Sequence, residues 1–222
     1  MKAELLTEQE HTLSSPRLKP GLFPRLLFAS MDLLYGRTAT LAKFRVLEVI
    51  ARVPYMAWEH VGYVAITHAH RRVGVARRIH DEVASVRAQQ DNEFFHLLIL
   101  EELINRKGIK VGFVRHRLLP QLIAWAYYQL SCLLYVVRPR WSYALNAQFE
   151  DHAEHEYMQF VADHPELDDE PWESAFADDY GHFDTVGEVL RQIGLDERHH
   201  KNDSLEQIPA PRFGMSLPAK FF

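Results

Sequence analysis

Glu93 and His96 stand three residues apart within Glu93-Phe94-Phe95-His96-Leu97-Leu98-Ile99-Leu100, a run that is otherwise apolar. At helical periodicity the two side chains share a face, so a carboxylate and an imidazole leave one apolar surface together. Burying them there requires a partner for the charge. The spacing recurs near the end of the chain as Glu197-x-x-His200, in Leu195-Asp196-Glu197-Arg198-His199-His200. Two Glu-x-x-His helices joined by one Glu from each of two further helices form the ligand set of di-iron and di-manganese carboxylate bundles. The pattern therefore points to an all-α, four-helix bundle, provided two more helices supply glutamates. Asp196-x-x-His199 offers a competing register that spacing alone leaves open.

A chain of 222 residues with 47% hydrophobic residues and 10 glycines is long and apolar enough for one sizeable core. Its formal net charge of −5 carries no electrostatic footprint for nucleic acid, which is set aside as a partner. The single cysteine, Cys132, excludes an intrachain disulfide and a cysteine-ligated zinc or iron–sulfur site. A metal would have to take oxygen and nitrogen ligands. Met1 to His11 is polar and acidic, without a signal-peptide core or transit-peptide character, so an intracellular, bacterial chain is expected.

Residues 1–21, with Ser14-Ser15-Pro16 and Lys19-Pro20-Gly21, read as a flexible N-terminal arm. Leu22 to Tyr35 reads as an amphipathic helix suited either to a membrane surface or to the core. Thr40 to Arg72 is helical material interrupted at Pro54. Glu48 and Glu59, three turns apart on similar faces, are equal candidates for a ligand. Val75 to Arg106 carries the Glu93–His96 pair and is closed by Lys107-Gly108. Leu118 to Val137 has no formal charge, yet Arg115, Arg117, Arg138 and Arg140 flank both ends. Its length meets the transmembrane criterion, but the symmetric arginines fit a helix half sunk into one leaflet, and a buried core helix is the plain alternative.

Trp141 to Asp163 places Glu150, Glu154 and Tyr157 on one face. Residues 163–182 are acidic and broken by prolines, and read as loop. Phe183 to Leu205 is the last helix, bearing the second pair, and 206–222 an extended C-terminal tail. The body of the fold is thus expected over 22–205. Glu8-x-x-His11 in the polar arm shows that one copy of the spacing arises by chance. Two copies on apolar helices, with Glu48 and Glu150 on the helices between and before them, are far less expected by accident.

Four segments, in order, resemble the iron-binding motifs of the alternative oxidase family. They are Leu47-Glu48-Val49-Ile50-Ala51-Arg52-Val53-Pro54-Tyr55, Asn92-Glu93-Phe94-Phe95-His96, Phe149-Glu150-Asp151-His152-Ala153 with Tyr157, and Asp196-Glu197-Arg198-His199-His200. The resemblance runs from about Met31 to Lys201 and is closest to the plastid terminal oxidase branch. It implies a ferritin-like four-helix di-iron bundle with additional helices that dock it in one leaflet. Glu48, Glu93, His96, Glu150, Glu197 and His200 would hold two iron ions cycling between the ferrous and ferric states. Asn92 and Asp196 match positions that support these ligands, Tyr157 the catalytic tyrosine beside the irons, and Lys43, Leu47 and Ala153 the quinol pocket.

The implied activity is oxidation of a quinol, plastoquinol or ubiquinol, by O2 to give water, without proton pumping. Membrane lipid is the expected partner surface and a second copy of the chain a candidate partner. The expected location is peripheral, on the cytoplasmic face of a bacterial inner or thylakoid membrane. A di-iron hydroxylase or a ferritin-like iron protein would use the same ligands and is the alternative. The sequence departs from the family pattern at Lys43, where an arginine is usual, at Arg198-His199, and at Val49, where a threonine is usual.

Overall fold

The computed structural model describes residues 2–209 and Phe213, and these are α-helices joined by turns. The first element corrects an expectation, because Lys2–Ser14 forms a helix, α1, where a mobile arm was read. Leu5, Gln9 and Thr12 share its buried face. Gln9 Nε2 donates to the Met158 carbonyl at 2.7 Å, and Thr12 Oγ1 donates to Glu154 Oε1 at 2.6 Å. The following linker is fastened too, by Leu18 N to Asp151 Oδ2 at 2.9 Å and Gly21 N to Gln148 Oε1 at 2.5 Å. The stripe is buried although polar, because it meets polar groups far along the chain, and composition alone carries no trace of them.

Helix α2, Leu22–Tyr35, turns Met31 inward and leaves Leu22, Leu26 and Leu33 exposed. It stops at Gly36, whose φ of +91° suits a residue without a Cβ. Helix α3, Leu41–Ala51, starts where Thr40 Oγ1 accepts from Lys43 N at 3.2 Å. Arg52 joins it to α4, Val53–Ala69. Pro54 has no N–H to return to the Ile50 carbonyl, so the helix breaks there as expected.

Helix α5, Val73–Arg106, is a single rod of 34 residues. It passes close to α4 at Gly62, where an added Cβ would lie 2.5 Å from Val83 Cγ2. Gly108, at φ +63°, ends the rod.

A π-helical turn, Val114–Leu118, leads into α6, Leu119–Val137, which is followed by α7, Pro139–Asp163. Residues between 163 and 182 hold a 3-10 turn, Pro165–Asp168, and a one-turn helix α8, Ala177–Tyr180. They are anchored by Trp172 N to the Asp184 carbonyl at 3.0 Å and Val186 N to the Glu170 carbonyl at 2.9 Å. Helix α9, Val186–Gln207, begins at Thr185, whose side chain accepts from Glu188 N at 3.2 Å. The expected extended tail therefore starts as the last turn of α9. Beyond Pro209, all of it but Phe213 lies outside the described residues.

The bundle pairs α7 with α9 and α5 with α3 and α4, while α6 lies across α3, α4 and α7. Val46, Ile50, Leu100, Leu103, Val189 and Ile193 form the heart of the shared core. α6 buries Tyr127, Ser131 and Tyr135 and exposes Leu122, Trp125, Leu133 and Val136 on its other side. Among the described residues no helix is long and apolar enough to cross a membrane. A spanning α6 is thereby excluded, and core packing accounts for only one of its faces.

Candidate metal centre

Four helices each deliver an acidic side chain to one point in the core. Glu48 comes from α3, Glu93 and His96 from α5, Glu150 from α7, and Glu197 and His200 from α9. None of the six is more than 4% exposed. The break at Pro54 settles the choice left by spacing, since Glu59 falls on α4 and accepts from Arg87 Nε at 2.6 Å instead. The competing register is settled as well: His200 is buried and His199 exposed.

The six donors form two overlapping groups, Glu48–Glu93–His96–Glu197 and Glu93–Glu150–Glu197–His200, each with ligand atoms within 4.8 Å of one another. Glu93 and Glu197 belong to both, which is the position of a carboxylate shared by two cations. Glu48 with His96, and Glu150 with His200, are then the outer donors of the two groups.

The donor set fits metal. Glu48 Oε2, both oxygens of Glu93 and of Glu197, Glu150 Oε2, and Nδ1 of His96 and of His200 are buried without a hydrogen-bond partner. His96 Nδ1 lies 3.2 Å from Glu197 Oε1 and His200 Nδ1 lies 2.7 Å from Glu93 Oε1. Neither contact has hydrogen-bond geometry. So many bare donors would be costly to bury unless a cation bound them.

Electrostatics tell the same story. Burial, with the neighbouring Glu197 and Glu93 carboxylates, pushes Glu48 up to about 8 although His96 pulls it down. Burial and the same two carboxylates push Glu150 well above its usual range. Burial would raise Glu93 too, but His200 and His96 hold it well below the ordinary value. Two divalent ions would neutralise four carboxylates and remove this conflict.

A surrounding layer fixes the donors. Asp196 Oδ2 contacts His96 Nε2 at 3.2 Å and accepts from Asn92 Nδ2 at 3.2 Å and Tyr180 OH at 2.7 Å, while Oδ1 accepts from Gln192 Nε2 at 2.8 Å. The contact places the imidazole proton on Nε2 and turns the Nδ1 lone pair toward the carboxylates. Tyr157 OH donates to Glu48 Oε1, and its ring stacks on Phe44 at 4.2 Å between centroids. Opposite it, Tyr55 OH donates to Glu150 Oε1 at 2.8 Å and accepts from Asn146 Nδ2 at 2.9 Å.

Sequence reasoning found Asn92, Asp196 and Tyr157 but gave no role to Tyr55, Asn146 or Tyr180. Asn146 lies one turn before Glu150 on the same face, a signal that was available. Tyr180 arrives from a loop and had none.

The three positions expected around a quinol are also inside. Leu47 and Ala153 are buried, and Lys43 Nζ donates to Asp32 Oδ1 at 2.7 Å and to the Gly36 carbonyl at 2.9 Å. The departure at Arg198 has a local reason. Its guanidinium donates to Glu154 Oε1 at 2.9 Å and to the Glu8 carbonyl at 2.7 Å, clamping α1 onto the bundle. A third acidic cluster, Asp151–Glu154–His155, is met by protein cations: Lys201 Nζ lies 3.1 Å from Asp151 and 2.5 Å from Glu154.

A helical bundle enclosing two fused carboxylate–imidazole clusters defines the dinuclear-metal class of four-helix proteins. Within that class the chain belongs to the alternative oxidase family, whose family model matches residues 22–205, and alternative oxidases are di-iron enzymes. Over 131 residues, 59% of this chain, it is 39% identical to "Ubiquinol oxidase 4, chloroplastic/chromoplastic" of Arabidopsis thaliana. The matched stretch spans 34% of that relative's length.

Proposed function

We propose that this protein is a membrane-bound quinol:oxygen oxidoreductase with two iron ions held by Glu48, Glu93, His96, Glu150, Glu197 and His200. The observation that carries the reading is the set of buried, unpartnered donor atoms in two groups that share Glu93 and Glu197. Family membership and the likeness to a ubiquinol oxidase support it. Carboxylates and imidazoles suit iron that changes between ferrous and ferric states, and such iron would supply the electron storage and oxygen chemistry.

The overall balance is two quinols and one O2 giving two quinones and two waters, so four electrons and four protons pass to oxygen. Asp196 keeps His96 in the ligating tautomer through the catalytic cycle. Tyr157, hydrogen-bonded to Glu48 and sealed from solvent by Phe44, is the proton- and electron-donating side chain beside the centre. Tyr55 holds Glu150 from the other side. Burial of the whole set keeps bulk water off the reacting atoms.

Quinols are carried in lipid, and the protein offers lipid two unpartnered apolar faces. One is Leu22, Leu26 and Leu33 on α2, and the other is Leu122, Trp125, Leu133 and Val136 on α6. Arg25, Arg115, Arg117 and Arg140 lie along or beside these elements, where they would meet lipid phosphates. We place the protein peripherally on one leaflet. Trp125→Glu with Leu133→Glu should release it from anionic vesicles in flotation while leaving its helicity intact.

The test is iron per chain on purified protein, then oxygen uptake with a short-chain quinol. Two irons per chain, one per donor group, and quinol-dependent uptake that is lost in Glu93→Ala are expected. Two irons without uptake would instead favour a di-iron hydroxylase or a ferritin-like iron protein, and absence of iron would end the reading.

A further inference from the structure

The six donors are at most 4% exposed, so a metal ion needs an opening to reach them. Two cavities lie near the centre, and neither suits a hydrated cation. One, of about 340 Å³ between α3, α4, α5 and α6, reaches Glu48 and Glu93, but Val53, Met56, Leu97, Ala124 and Trp125 make its walls largely apolar. Stripping water from a divalent ion there is costly. The other, of about 460 Å³, is lined by Ser204 and by none of the six donors. Behind Ser204 stand Asn146 and Tyr55, both fully buried, with Asn146 Nδ2 donating to Ser204 Oγ at 3.1 Å and to Tyr55 OH at 2.9 Å. That side opens only if a core helix moves.

The cover over His96 is of another kind, because a loop supplies it. Tyr180 OH donates to Asp196 Oδ2 at 2.7 Å, and its ring meets the His96 ring edge-on at 5.7 Å between centroids. The cover is thin, since the Asp196 side chain is still 14% exposed. Both ends of the loop are pinned. Pro171 bridges Thr185, Ser174 Oγ and Ala175 N donate to Glu102 at 2.6 and 2.9 Å, and Arg106 donates to the Pro171 and Glu173 carbonyls. Asp184 N donates to Glu188 Oε2 at 3.0 Å.

Between these anchors the tip, 176–182, is held lightly. Its backbone hydrogen bonds stay within the loop, as from Tyr180 N to the Phe176 carbonyl at 2.9 Å and Gly181 N to the Ala177 carbonyl at 3.0 Å. Among the described residues, Tyr180 OH makes the hydrogen bond that ties this tip to the bundle. Its remaining hold is ring packing, Phe176 and Tyr180 against Phe95 at 6.4 and 6.3 Å. Asp178, Asp179 and His182 are exposed, and Gly181, at φ +141°, supplies a pivot that a residue with a Cβ rarely adopts.

We propose that residues 176–182 are a latched flap through which a divalent metal ion enters the centre, with Tyr180 as the latch. Opening breaks the bond to Asp196 and withdraws the ring from His96, while the pinned neck keeps the loop in register for closing. Lids of this kind are drawn from segments whose local opening costs little. This role rests on the reading of the six donors as a metal centre, and it places no step of turnover on Tyr180.

The test is the kinetics of metal exchange. Metal-free protein is mixed with Co(II) alone in a stopped-flow cell, uptake is followed by the visible absorbance of the bound ion, and release is followed into excess chelator. Tyr180→Phe keeps the ring and removes the latch. If the flap is shut both with and without metal, a weaker latch speeds entry and exit equally. Uptake and release should both quicken about tenfold, the equivalent of one lost hydrogen bond, with Kd within about twofold of wild type. Tyr180→Ala should be at least as fast. Amide hydrogen exchange at 176–182 should quicken in both variants while that of α9 stays as in wild type.

A residue that merely supported Asp196 would act differently, raising Kd through release alone with uptake unchanged, and that result would overturn the flap. Wild-type rates in both variants would overturn it too, leaving the metal centre in place. A wild-type protein that binds no Co(II) would overturn the centre and the flap together.

Discussion

Asp196 takes contacts from His96, Asn92, Tyr180 and Gln192, and so stands as a hub that no helical spacing alone would reveal. Asp196→Ala would free the His96 ring to rotate and remove the group that fixes its tautomer. Iron affinity should fall about 10- to 100-fold, the usual cost of losing such a support, when measured by chelator competition. An unchanged affinity would mean that packing alone holds His96. Glu154 yields a pH prediction. Burial would raise it, but Lys201, Thr12 and Arg198 outweigh burial and hold it below its ordinary 4.5. A carboxylate depressed in the folded state stabilises fully above the unfolded value, and that contribution is lost as pH falls through the folded one. The Tm advantage of the wild type over Glu154→Gln should be level near neutrality and shrink below about pH 4.5. A difference that grows on acidification would reverse the sign of the argument.

Helix α1 is where reading by composition met its limit. Its buried stripe includes Gln9 and Thr12, and the groups that satisfy them, Met158, Glu154 and Arg198, lie on α7 and α9. Arg198 joins α1 to α7 through Glu8, Thr12 and Glu154. Arg198→Met should destabilise the protein by about 2 kcal/mol, since it leaves a buried Glu154 oxygen short of its cation. The loss should appear as faster hydrogen exchange in residues 2–18, with iron content unchanged. Equal protection in wild type and variant would show that α1 docks without this clamp. The break between α3 and α4 is the opposite case, because Pro54 enforces it locally and it separates Glu48 from Glu59 wherever the rest of the chain lies.

At the scale of the molecule, carboxylates on four different helices would make metal binding and folding one equilibrium. Without metal, burial and the neighbouring carboxylates oppose the ionisation of Glu48 and Glu150 and raise both above the usual carboxylate range. Ferrous iron should therefore raise Tm strongly, by linkage worth about 4 kcal/mol at a thousandfold excess over Kd. Glu93→Ala, which removes a donor common to both groups, should abolish most of that rise in calorimetry. A full rise in the variant would separate the stabilising metal from this centre.

Helical periodicity, the two Glu-x-x-His pairs, the glycine and proline stops and the four ordered motifs are local properties, so an all-α bundle and its family could be read from the chain, with six candidate ligands that the family resemblance implied. Other features depend on partners distant in sequence, and only the tertiary structure decided them. Polar α1 is buried because α7 and α9 offer acceptors, Tyr180 reaches the site on a loop, and Glu93 and Glu197 are shared because α5 and α9 cross there. That residues of α6 line one cavity together with Glu48 and Glu93 likewise follows from packing and not from any local motif. Local spacing sets which face a side chain occupies, while the contacts between elements set what that face meets.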